Sequence, residues 1–296
     1  MEIIMQAKIL NLFSNIATNN KNLKVGHGQS FLITIDGENI LYDTGVDGKT
    51  LLNNMEALSI SPDDITKLAL SHGHTDHTGG MPGLLDKRNA KKKLTLIAHP
   101  SFREKKIYKI LHIFKKQHRC PSLTKSQEDK LDINLTTQSL QLASNLRTTG
   151  EITERNEKDG LEPNAMHLEK GKYVADPVLD DLSLILSTKK GEVIITGCAH
   201  SGILNICNYV KQTSSNKIHA IIGGTHMVRY SEEDVKSVAS KLEGEYDNPD
   251  LYLNHCTDYF PDPFVKKTKA TDILRKELEK DKIKDCFVGT EIQFEL

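Results

Sequence analysis

The feature that most constrains this chain is a short segment, LALSHGHTDHTGGMPGLL, which places four potential metal ligands within six positions: His72, His74, Asp76 and His77. Side chains of an extended segment alternate with period two, so His72 and His74 point the same way and can reach one ion. Asp76 and His77 follow where the chain turns into a helical pattern, and they can face a second ion. The glycines at 79–80 allow the close backbone approach that such a turn needs. The segment therefore predicts a metal site.

Four residues cannot complete two metal sites, so further ligands must come from other strand ends. Three histidines follow short apolar runs, namely His200 in EVIITGCAHSGILNI, His226 in AIIGGTHM and His255 in DLYLNHCTD. We predict that all three are metal ligands, although each alone is also compatible with an ordinary polar residue at a strand end.

Two further residues belong to the predicted site. Asp43, in ILYDTG, ends an apolar run, and we expect it to orient a ligand histidine rather than to bind metal. The alternative interpretation is that Asp43 stabilises a turn ahead of Gly45. His27, in KVGHGQSFLI, is a candidate for contact with metal or substrate, with a plain loop role as the alternative. The histidines that lack a motif are expected to be structural or superficial: His99, His112, His118, His167 and His219.

Short β-branched runs alternate with helical patterns along the chain, which indicates an α/β fold. The strand candidates are SFLITID, NILYD, KLALS, LTLIA, LSLILST, EVIITG, HAIIGG, DLYLN and DCFVG. The predicted helices are 48–58, 79–87, 102–118, 202–213, 231–245 and 264–280. Residues 119–180 are the least regular and are predicted to form an insertion or lid. Without a Pro/Gly/Ser-rich linker, we expect one domain over 1–296.

The charge of the chain is balanced overall but uneven locally. With 39 basic and 40 acidic side chains, the net charge of −1 gives no general attraction to nucleic acid or anionic membrane. The stretch 87–119 carries twelve basic residues and one acidic residue. It is either a solvated face or a patch that attracts a phosphorylated substrate, and more weakly RNA. Nucleic acid is not the expected partner, because the chain has no Trp and only 5% aromatic residues.

The cysteines and the first residues bear on the compartment. Five cysteines are widely spaced without a C-x-x-C pair, and the first residues lack the pattern of a secretory signal. No apolar run approaches the roughly 20 residues that span a bilayer. We therefore expect a cytoplasmic protein with no membrane partner, and the oligomeric state is left open.

The site residues resemble the motifs of the metallo-β-lactamase superfamily. Asp43 resembles its first motif, the 72–77 segment its second, His200 its third and His255 its last. The resemblance implies an αββα sandwich, with two mixed sheets flanked by helices and a dinuclear site at one edge of the sheets. Much of the superfamily has a bridging Asp in the fourth motif, where this chain offers His226. A histidine does not bridge two metals as a carboxylate does, so the bridging ligand is left open.

A narrower resemblance covers nearly the whole chain. The segments HGQSFLI, LYDTG, SHGHTDHTGG, TGEI, DDLSLIL, TGCAHSGILNI, GGTHM and NHCTD are similar to the family of 7,8-dihydropterin-6-yl-methyl-4-(β-D-ribofuranosyl)aminobenzene 5′-phosphate synthase. This chain has HCTD where the family more usually has HCTG, and the difference adds Asp258 near the site. That carboxylate is predicted either to orient substrate or to stabilise a turn.

Three functions are compatible with these residues. The first is a metal-dependent hydrolase, in which a metal-activated hydroxide attacks a small anionic, phosphorylated ester, amide or phosphodiester, and Asp76 takes or orients its proton. The second, implied by the narrower resemblance, is a condensing synthase that joins a pterin to an arylamine. The third is a metal- or ligand-binding protein without catalysis, suggested by His226 at the bridging position. The histidine-rich ligand set favours one or two Zn²⁺ ions, with Mn²⁺ or Fe²⁺ as alternatives.

Overall fold

Two mixed seven-stranded β-sheets form the centre of the computed structural model, which describes residues 5–16, 18–110, 114–259 and 267–296. With strands numbered along the chain, the first sheet contains β1 (Gln6–Phe13), β2 (Ser30–Ile35), β3 (Glu38–Tyr42), β4 (Lys67–Ala69), β5 (Leu94–Ala98), β8 (Leu131–Leu135) and β18 (Glu291–Glu295). Their order is β18-β1-β2-β3-β4-β5-β8. Pairing is antiparallel from β18 to β3 and parallel from β3 to β8.

The second sheet mirrors this mixture of strand directions. It contains β9 (Gln141–Ala143), β10 (Leu146–Thr148), β13 (Leu184–Thr188), β14 (Gly191–Thr196), β15 (Ile218–Gly223), β16 (Asp250–Leu253) and β17 (Ile283–Lys284). The order is β17-β16-β15-β14-β13-β10-β9, parallel as far as β14 and antiparallel beyond it.

A smaller antiparallel sheet lies outside these two. Its strands, in the order β12-β11-β6-β7, are β6 (Lys106–Ile110), β7 (Phe114–Gln117), β11 (Ala165–Glu169) and β12 (Lys172–Ala175).

Helices connect the strands. They are α1 (Gly48–Ala57), α2 (Thr75–Thr78), α3 (Met81–Lys87), α4 (Lys125–Glu128), α5 (Ile203–Thr213), α6 (Glu232–Gly244) and α7 (Ala270–Glu277), with 3-10 turns at Pro62–Asp64, Met227–Arg229 and His255–Thr257. Helix α1 begins after Asp47, whose side chain accepts a hydrogen bond from the Thr50 amide at 2.8 Å. Helix α6 begins with a capping box formed by Ser231 and Asp234. Within the described ranges, none of the helices combines the length and apolarity that crossing a membrane requires.

The apolar side chains pack in three layers of core. Between the two large sheets, Ile33 and Tyr42 of the first sheet pack in one cluster with Ile195 and Ile222 of the second. The outer face of the first sheet packs against α1 and α3. The outer face of the second packs against α5, α6 and α7. These layers are the predicted αββα sandwich, and the fold prediction is confirmed.

The topology brings several strand ends to one edge of the sandwich. In the first sheet β3 and β4 are parallel neighbours, and in the second β14, β15 and β16 are parallel neighbours. The segments that follow these five strands contain the site residues predicted above at strand ends. Because parallel strands end at the same edge of a sheet, residues far apart in sequence meet there.

Two predictions about individual elements are wrong. The range 102–118 is not a helix, since its described residues form the hairpin β6–β7, and β6 also pairs with β11. Ile107 and Tyr108 are residue types that favour strands. The apolar spacing of this segment is ambiguous between helix and strand, and pairing with the neighbouring strands decides that it is a strand. The DCFVG run is not a strand, because Gly289 has a φ of 91° and the Phe287 amide donates to Thr290 Oγ1 in a turn.

Two further predicted segments differ in extent. The helix predicted over 264–280 is the shorter α7, and residues 264–266 lie outside the described part. Residues 119–180 hold α4, β8 to β12 and the loops between them, with strands contributed to all three sheets. Their role as an insertion or lid stays a prediction, as does the single domain.

Candidate metal centre

The ligand-rich segment leaves β4 and turns immediately into the short helix α2. His74 is the N-cap of α2 and has extended backbone angles, φ −69° and ψ 149°. The turn passes so close to neighbouring backbone that a Cβ on Gly79 would lie 2.0 Å from the Val46 carbonyl oxygen. One on Gly80 would lie 2.2 Å from the Thr44 carbonyl oxygen. Glycine is therefore required here for close approach.

Three buried imidazoles form a first group of potential ligands. His72 and His74 come from the first sheet and His200 from the second, and one ring nitrogen of each lies within 4.8 Å of the others. In the described structure, the Nε2 atoms of all three are buried without a hydrogen-bond partner. His200 Nδ1 donates to the Gly160 carbonyl at 3.0 Å, which leaves its Nε2 as an acceptor. Buried polar atoms rarely lack partners, so these three nitrogens fit a metal ion.

A second group lies beside the first and consists of Asp76, His77, Cys198 and His255. His77 Nε2 is 3.2 Å from His255 Nε2 and 3.0 Å from Cys198 Sγ. Asp76 Oδ2 is 3.3 Å from His255 Nε2. Ligands bound at 2.0–2.3 Å around a tetrahedral zinc ion lie roughly 3.3–3.8 Å apart. The 3.3 Å separation fits a single ion, and those of 3.0 and 3.2 Å are slightly shorter.

Asp43 lies behind His77, on the side away from the second group. Its Oδ2 is 2.7 Å from His77 Nδ1, and Ser71 donates to both carboxylate oxygens at 2.7 Å. On the other ligand, His255 Nδ1 donates to Asn15 Oδ1 at 2.6 Å. Each contact turns an Nε2 atom toward the group, which is how residues outside the coordination shell orient ligand imidazoles.

The loops that carry the site are held in a rarely adopted backbone conformation. Asp43, Ala199, His226 and His255 have φ values of 62°, 56°, 52° and 45°, in the left-handed region. Such conformations cost about 1–3 kcal/mol per residue outside glycine and persist only where the surrounding structure enforces them. Packing of the two sheets therefore fixes the positions of these residues.

The first group is ready to bind metal at neutral pH. Burial and the neighbouring imidazoles lower the pKa of His72 and His74 well below the usual value. Burial, and then His226, lower the pKa of His200. All three rings are therefore neutral near pH 7, the form that binds metal.

The second group contains ionised side chains when no metal is bound. Burial alone would raise the pKa of Asp76, but the imidazoles of His27 and His77 outweigh burial and hold that pKa well below its usual value. Burial would lower the pKa of His77, but Asp43 and Asp76 outweigh it and raise that pKa to about 9. Burial raises the pKa of the Cys198 thiol. Without metal, His77 and Cys198 therefore keep their protons.

His226 lies at the rim of the first group. Its ring is 4.5 Å from the ring of His200, and it can share a ligand position with Cys198 and His200. Its Nε2, however, is 2.8 Å from Glu162 Oε1. Glu162 also binds Arg229. His226 is therefore engaged with a carboxylate, and its predicted role as a ligand stays a prediction.

The two candidates for substrate contact lie in different surroundings. His27 Nε2 is 3.2 Å from Asp76 Oδ2, and burial lowers the pKa of His27 to about 4, so a neutral ring lies in the site. Asp258 Oδ1 accepts from the Thr271 amide at 3.0 Å, at the first turn of α7. This contact favours the turn-stabilising alternative for Asp258, whose substrate role stays a prediction.

Two residues of the site were not predicted as such. Cys198 had a detectable signal, because it lies two positions before His200 at a strand end. His118 had none, since it follows β7 far from any motif. Its Nε2 is 3.7 Å from Asp76 Oδ1, and its ring is 4.1 Å from that of His74.

A buried ion cluster supports the same loop from outside. Lys106 Nζ lies 2.5 Å from Asp180 Oδ1 and 3.3 Å from Asp176 Oδ2. Asp180 also accepts from the Gly73 amide at 2.7 Å, between two ligand histidines. Asp176 Oδ2 is 4.0 Å from His74 Nε2. One member of the basic stretch is thus a structural cation beside the site.

Comparison with known proteins agrees with the fold. The family model described as the metallo-β-lactamase superfamily matches residues 23–210, and the chain belongs to this superfamily. The solved structure of a metal-dependent hydrolase of the β-lactamase superfamily aligns with a TM-score of 0.79 and 22% identity, over 98% of this chain and 100% of that one. A metallo-β-lactamase fold protein of Bacillus subtilis aligns with a TM-score of 0.55 and 13% identity, over 98% and 99% of the two chains.

Within the superfamily, a full-length relative is more specific. A 7,8-dihydropterin-6-methyl-4-(β-D-ribofuranosyl)-aminobenzene-5′-phosphate synthase of Methanocaldococcus jannaschii is 30% identical over 290 residues, which is 93% of this chain and 92% of that protein. This agrees with the narrower resemblance seen in the motifs. The chain is therefore an enzyme of this superfamily, and its M. jannaschii relative is named as a synthase.

Proposed function

We propose that this chain is a metal-dependent enzyme that hydrolyses a small phosphorylated molecule at the centre described above. The observation that carries the proposal is the convergence of the Nε2 atoms of His72, His74 and His200, which are buried without a hydrogen-bond partner in the described structure, close to the carboxylate of Asp76. Zinc is the proposed ion, with manganese or iron as alternatives. We also propose a cytoplasmic location and a small-molecule partner rather than nucleic acid.

The basic pocket supports a phosphorylated substrate. Its volume is about 220 Å³, and it is lined by Lys105, Lys106, Ile107, Gln117, Arg119 and Tyr173. The pocket is related to the metal centre by His118, which lies between the lining residues Gln117 and Arg119 in sequence and whose Nε2 is 3.7 Å from Asp76 Oδ1. Drug-sized ligands need about 300–1,000 Å³, so this pocket suits a phosphate or pyrophosphate group rather than a whole substrate. Lys105 and Arg119 supply positive charge, and Arg can bind a phosphate with two parallel hydrogen bonds.

The roles of the protein's own residues follow from their contacts. A zinc ion held by these residues would supply a bound water whose pKa is lowered to about 7, and it would polarise the bond under attack. Asp76 stays ionised, and its Oδ1 lacks a hydrogen-bond partner in the described structure, so it can accept a proton at that atom. His27 contacts the other oxygen, Oδ2, and so fixes the orientation of the carboxylate. The pocket would hold the phosphate while Asp76 handles the proton.

The test is turnover of zinc-loaded protein on a panel of phosphate monoesters, phosphodiesters and lactones. We expect release of product from a phosphorylated member, and its loss in His72→Ala with an unchanged circular dichroism spectrum. Arg119→Met should raise KM for that substrate with a smaller effect on kcat. Lys116→Met is the matched control, because Lys116 is exposed on the same hairpin and is not a lining residue of the described pocket. Activity that survives His72→Ala, or no turnover of any phosphorylated member, would contradict the proposal.

A second candidate is a condensing synthase, favoured by the M. jannaschii relative. In that reaction the nitrogen of an arylamine that carries a ribofuranosyl phosphate would bond to the methylene carbon of a dihydropterin pyrophosphate, with release of inorganic pyrophosphate and of the amine proton. The basic pocket would hold a phosphate of either partner. Zinc-loaded protein should be incubated with both compounds and the mixture analysed by mass spectrometry. Absence of the coupled product, together with hydrolysis of a phosphate ester, would favour the hydrolase.

A further inference from the structure

Cys198 lies between the two groups of ligands. It follows β14 by two residues, is 2% exposed, and its Sγ is 3.0 Å from His77 Nε2. It belongs with Asp76, His77 and His255 in one potential metal group, and with His200 and His226 in another. Its sulfur thus belongs to two potential metal groups, one of which also includes His200 of the first group.

The second sheet supplies few negative ligands to this centre. In the described part of the chain, its contributions to the ligand groups are His200, His226 and His255, which are neutral when bound, and Cys198. Asp76 of the first sheet is the carboxylate ligand in these groups. A thiolate supplies the negative charge that a bridging aspartate would have given, and it binds zinc at about 2.3 Å. His226, which occupies the expected place of that aspartate, is engaged with Glu162.

The other cysteines have different surroundings. Cys207 lies in α5 within an apolar cluster. Cys256 Sγ accepts from the His226 amide at 3.3 Å, and among the described residues it does not belong to a potential metal group. Buried cysteines usually serve as small apolar residues, which describes Cys207. The Cys198 sulfur contacts the Cys256 thiol and also faces ring nitrogens and a carboxylate.

We propose that the Cys198 thiolate is a metal ligand of this centre, completing the second group with Asp76, His77 and His255 and lying on the side that faces His200. The thiol proton is released to solvent as the metal–sulfur bond forms, so no oxidation or reduction is involved. This inference rests on the metal centre of the proposed function, but it does not depend on which substrate is turned over.

The test uses the full chain with zinc replaced by cobalt(II), whose thiolate complexes show a ligand-to-metal charge-transfer band in the near ultraviolet. We expect the band in the wild-type protein, its loss in Cys198→Ser, and its retention in Cys256→Ser and Cys207→Ala. Cobalt content should fall in Cys198→Ser, while the ligands His72, His74 and His200 still hold an ion. A band that persists in Cys198→Ser, or that is absent from wild-type protein loaded with cobalt, would overturn the assignment.

A second measurement avoids any variant that fails to fold. X-ray absorption at the zinc edge of the wild-type protein should show a sulfur neighbour at about 2.3 Å. A shell of only nitrogen and oxygen neighbours would exclude Cys198 as a ligand. Because neither spectrum requires turnover, failure here leaves the proposed hydrolysis standing, and failure of hydrolysis leaves the ligand assignment standing.

Discussion

At the scale of single residues, Lys106 is a buried ammonium held by Asp180 and Asp176. Lys106→Met would leave both carboxylates buried without their cation, so we expect a loss of about 3–5 kcal/mol in the free energy of unfolding. Urea denaturation measures this loss. Lys105→Met is the matched control, because the adjacent Lys105 is exposed, and its effect should stay within about 0.5 kcal/mol. Equal losses in the two variants would contradict the structural role of Lys106.

The same ion cluster predicts a pH dependence. Burial would raise the pKa of Asp180, but Lys106 outweighs burial and holds that pKa below its usual value. The ionised pair therefore contributes fully above the unfolded pKa of about 3.9, and the contribution is lost as pH falls through the lower folded pKa. The stability difference between wild type and Lys106→Met should be largest near pH 7 and should narrow below about pH 4. Urea midpoints measured from pH 7 to 3 test this, and a constant difference would contradict it.

Residues within one segment were predictable, whereas residues brought together by the fold were less so. The spacing of His72, His74, Asp76 and His77 is local, so alternation and turn geometry are enough to place them together. His118 approaches Asp76 where Thr75 Oγ1 donates to the Arg119 carbonyl oxygen at 2.9 Å, a long-range contact that the sequence does not specify locally. Lys106 looked like one more member of a basic stretch, because burial of a lysine depends on distant carboxylates.

At the scale of elements, the junction between β4 and α3 depends on glycine at position 79. Gly79 has φ −67° and ψ −25°, which alanine adopts freely, so it is contact with the backbone of Val46 and with the Thr75 carbonyl oxygen that opposes a Cβ. We expect Gly79→Ala to cost about 1–3 kcal/mol, as overpacking does, and to weaken zinc binding by displacing α2. Denaturation and zinc titration measure the two effects.

The control for this change is Gly244→Ala. Gly244 is the last residue of α6, and a Cβ there would meet nothing within 4 Å. Alanine should leave zinc affinity unchanged and add at most about 1 kcal/mol of stability. If Gly79→Ala matched this control in both measurements, close backbone approach would not explain the glycine.

Element type was predictable where packing and periodicity agreed. Helices α1, α5 and α6 and the buried strands β14 and β15 lie within two residues of their predicted ranges. The range 102–118 failed because Ile107 and Ile110 fit a helical spacing, while the strand is stabilised by partners about 60 residues later in sequence. Strands β1 and β18 lie at opposite ends of the described chain, and their pairing likewise cannot be predicted from the local sequence pattern.

At the scale of the whole molecule, metal should link the two halves of the sandwich. Ligands from both sheets meet at the centre, so an ion bound there stabilises the folded state over the unfolded one. Free zinc at 100 times its Kd should add about 2.7 kcal/mol, seen as a higher thermal midpoint that a chelator reverses. The double variant His72→Ala/His255→Ala should lose this increment.

His219→Ala serves as the control for that experiment. His219 lies on β15 against Phe294, away from the ligand groups of the described structure. The thermal midpoint of His219→Ala without zinc can differ from that of the wild type. The increase in the midpoint that zinc causes should persist in this variant. An increment that is equal in all three proteins would place the stabilising zinc elsewhere.

The division of the ligands between two sheets also sets an order of events during synthesis on the ribosome. His72, His74, Asp76 and His77 are made early, but His200 and His255 follow only after most of the chain is complete. At about 5–20 residues per second, the interval from His77 to His255 is roughly 10 to 35 s. During that time the nascent chain exposes an incomplete, histidine-rich chelator, so its capture of the correct ion depends on the ions available around the ribosome as well as on the finished site.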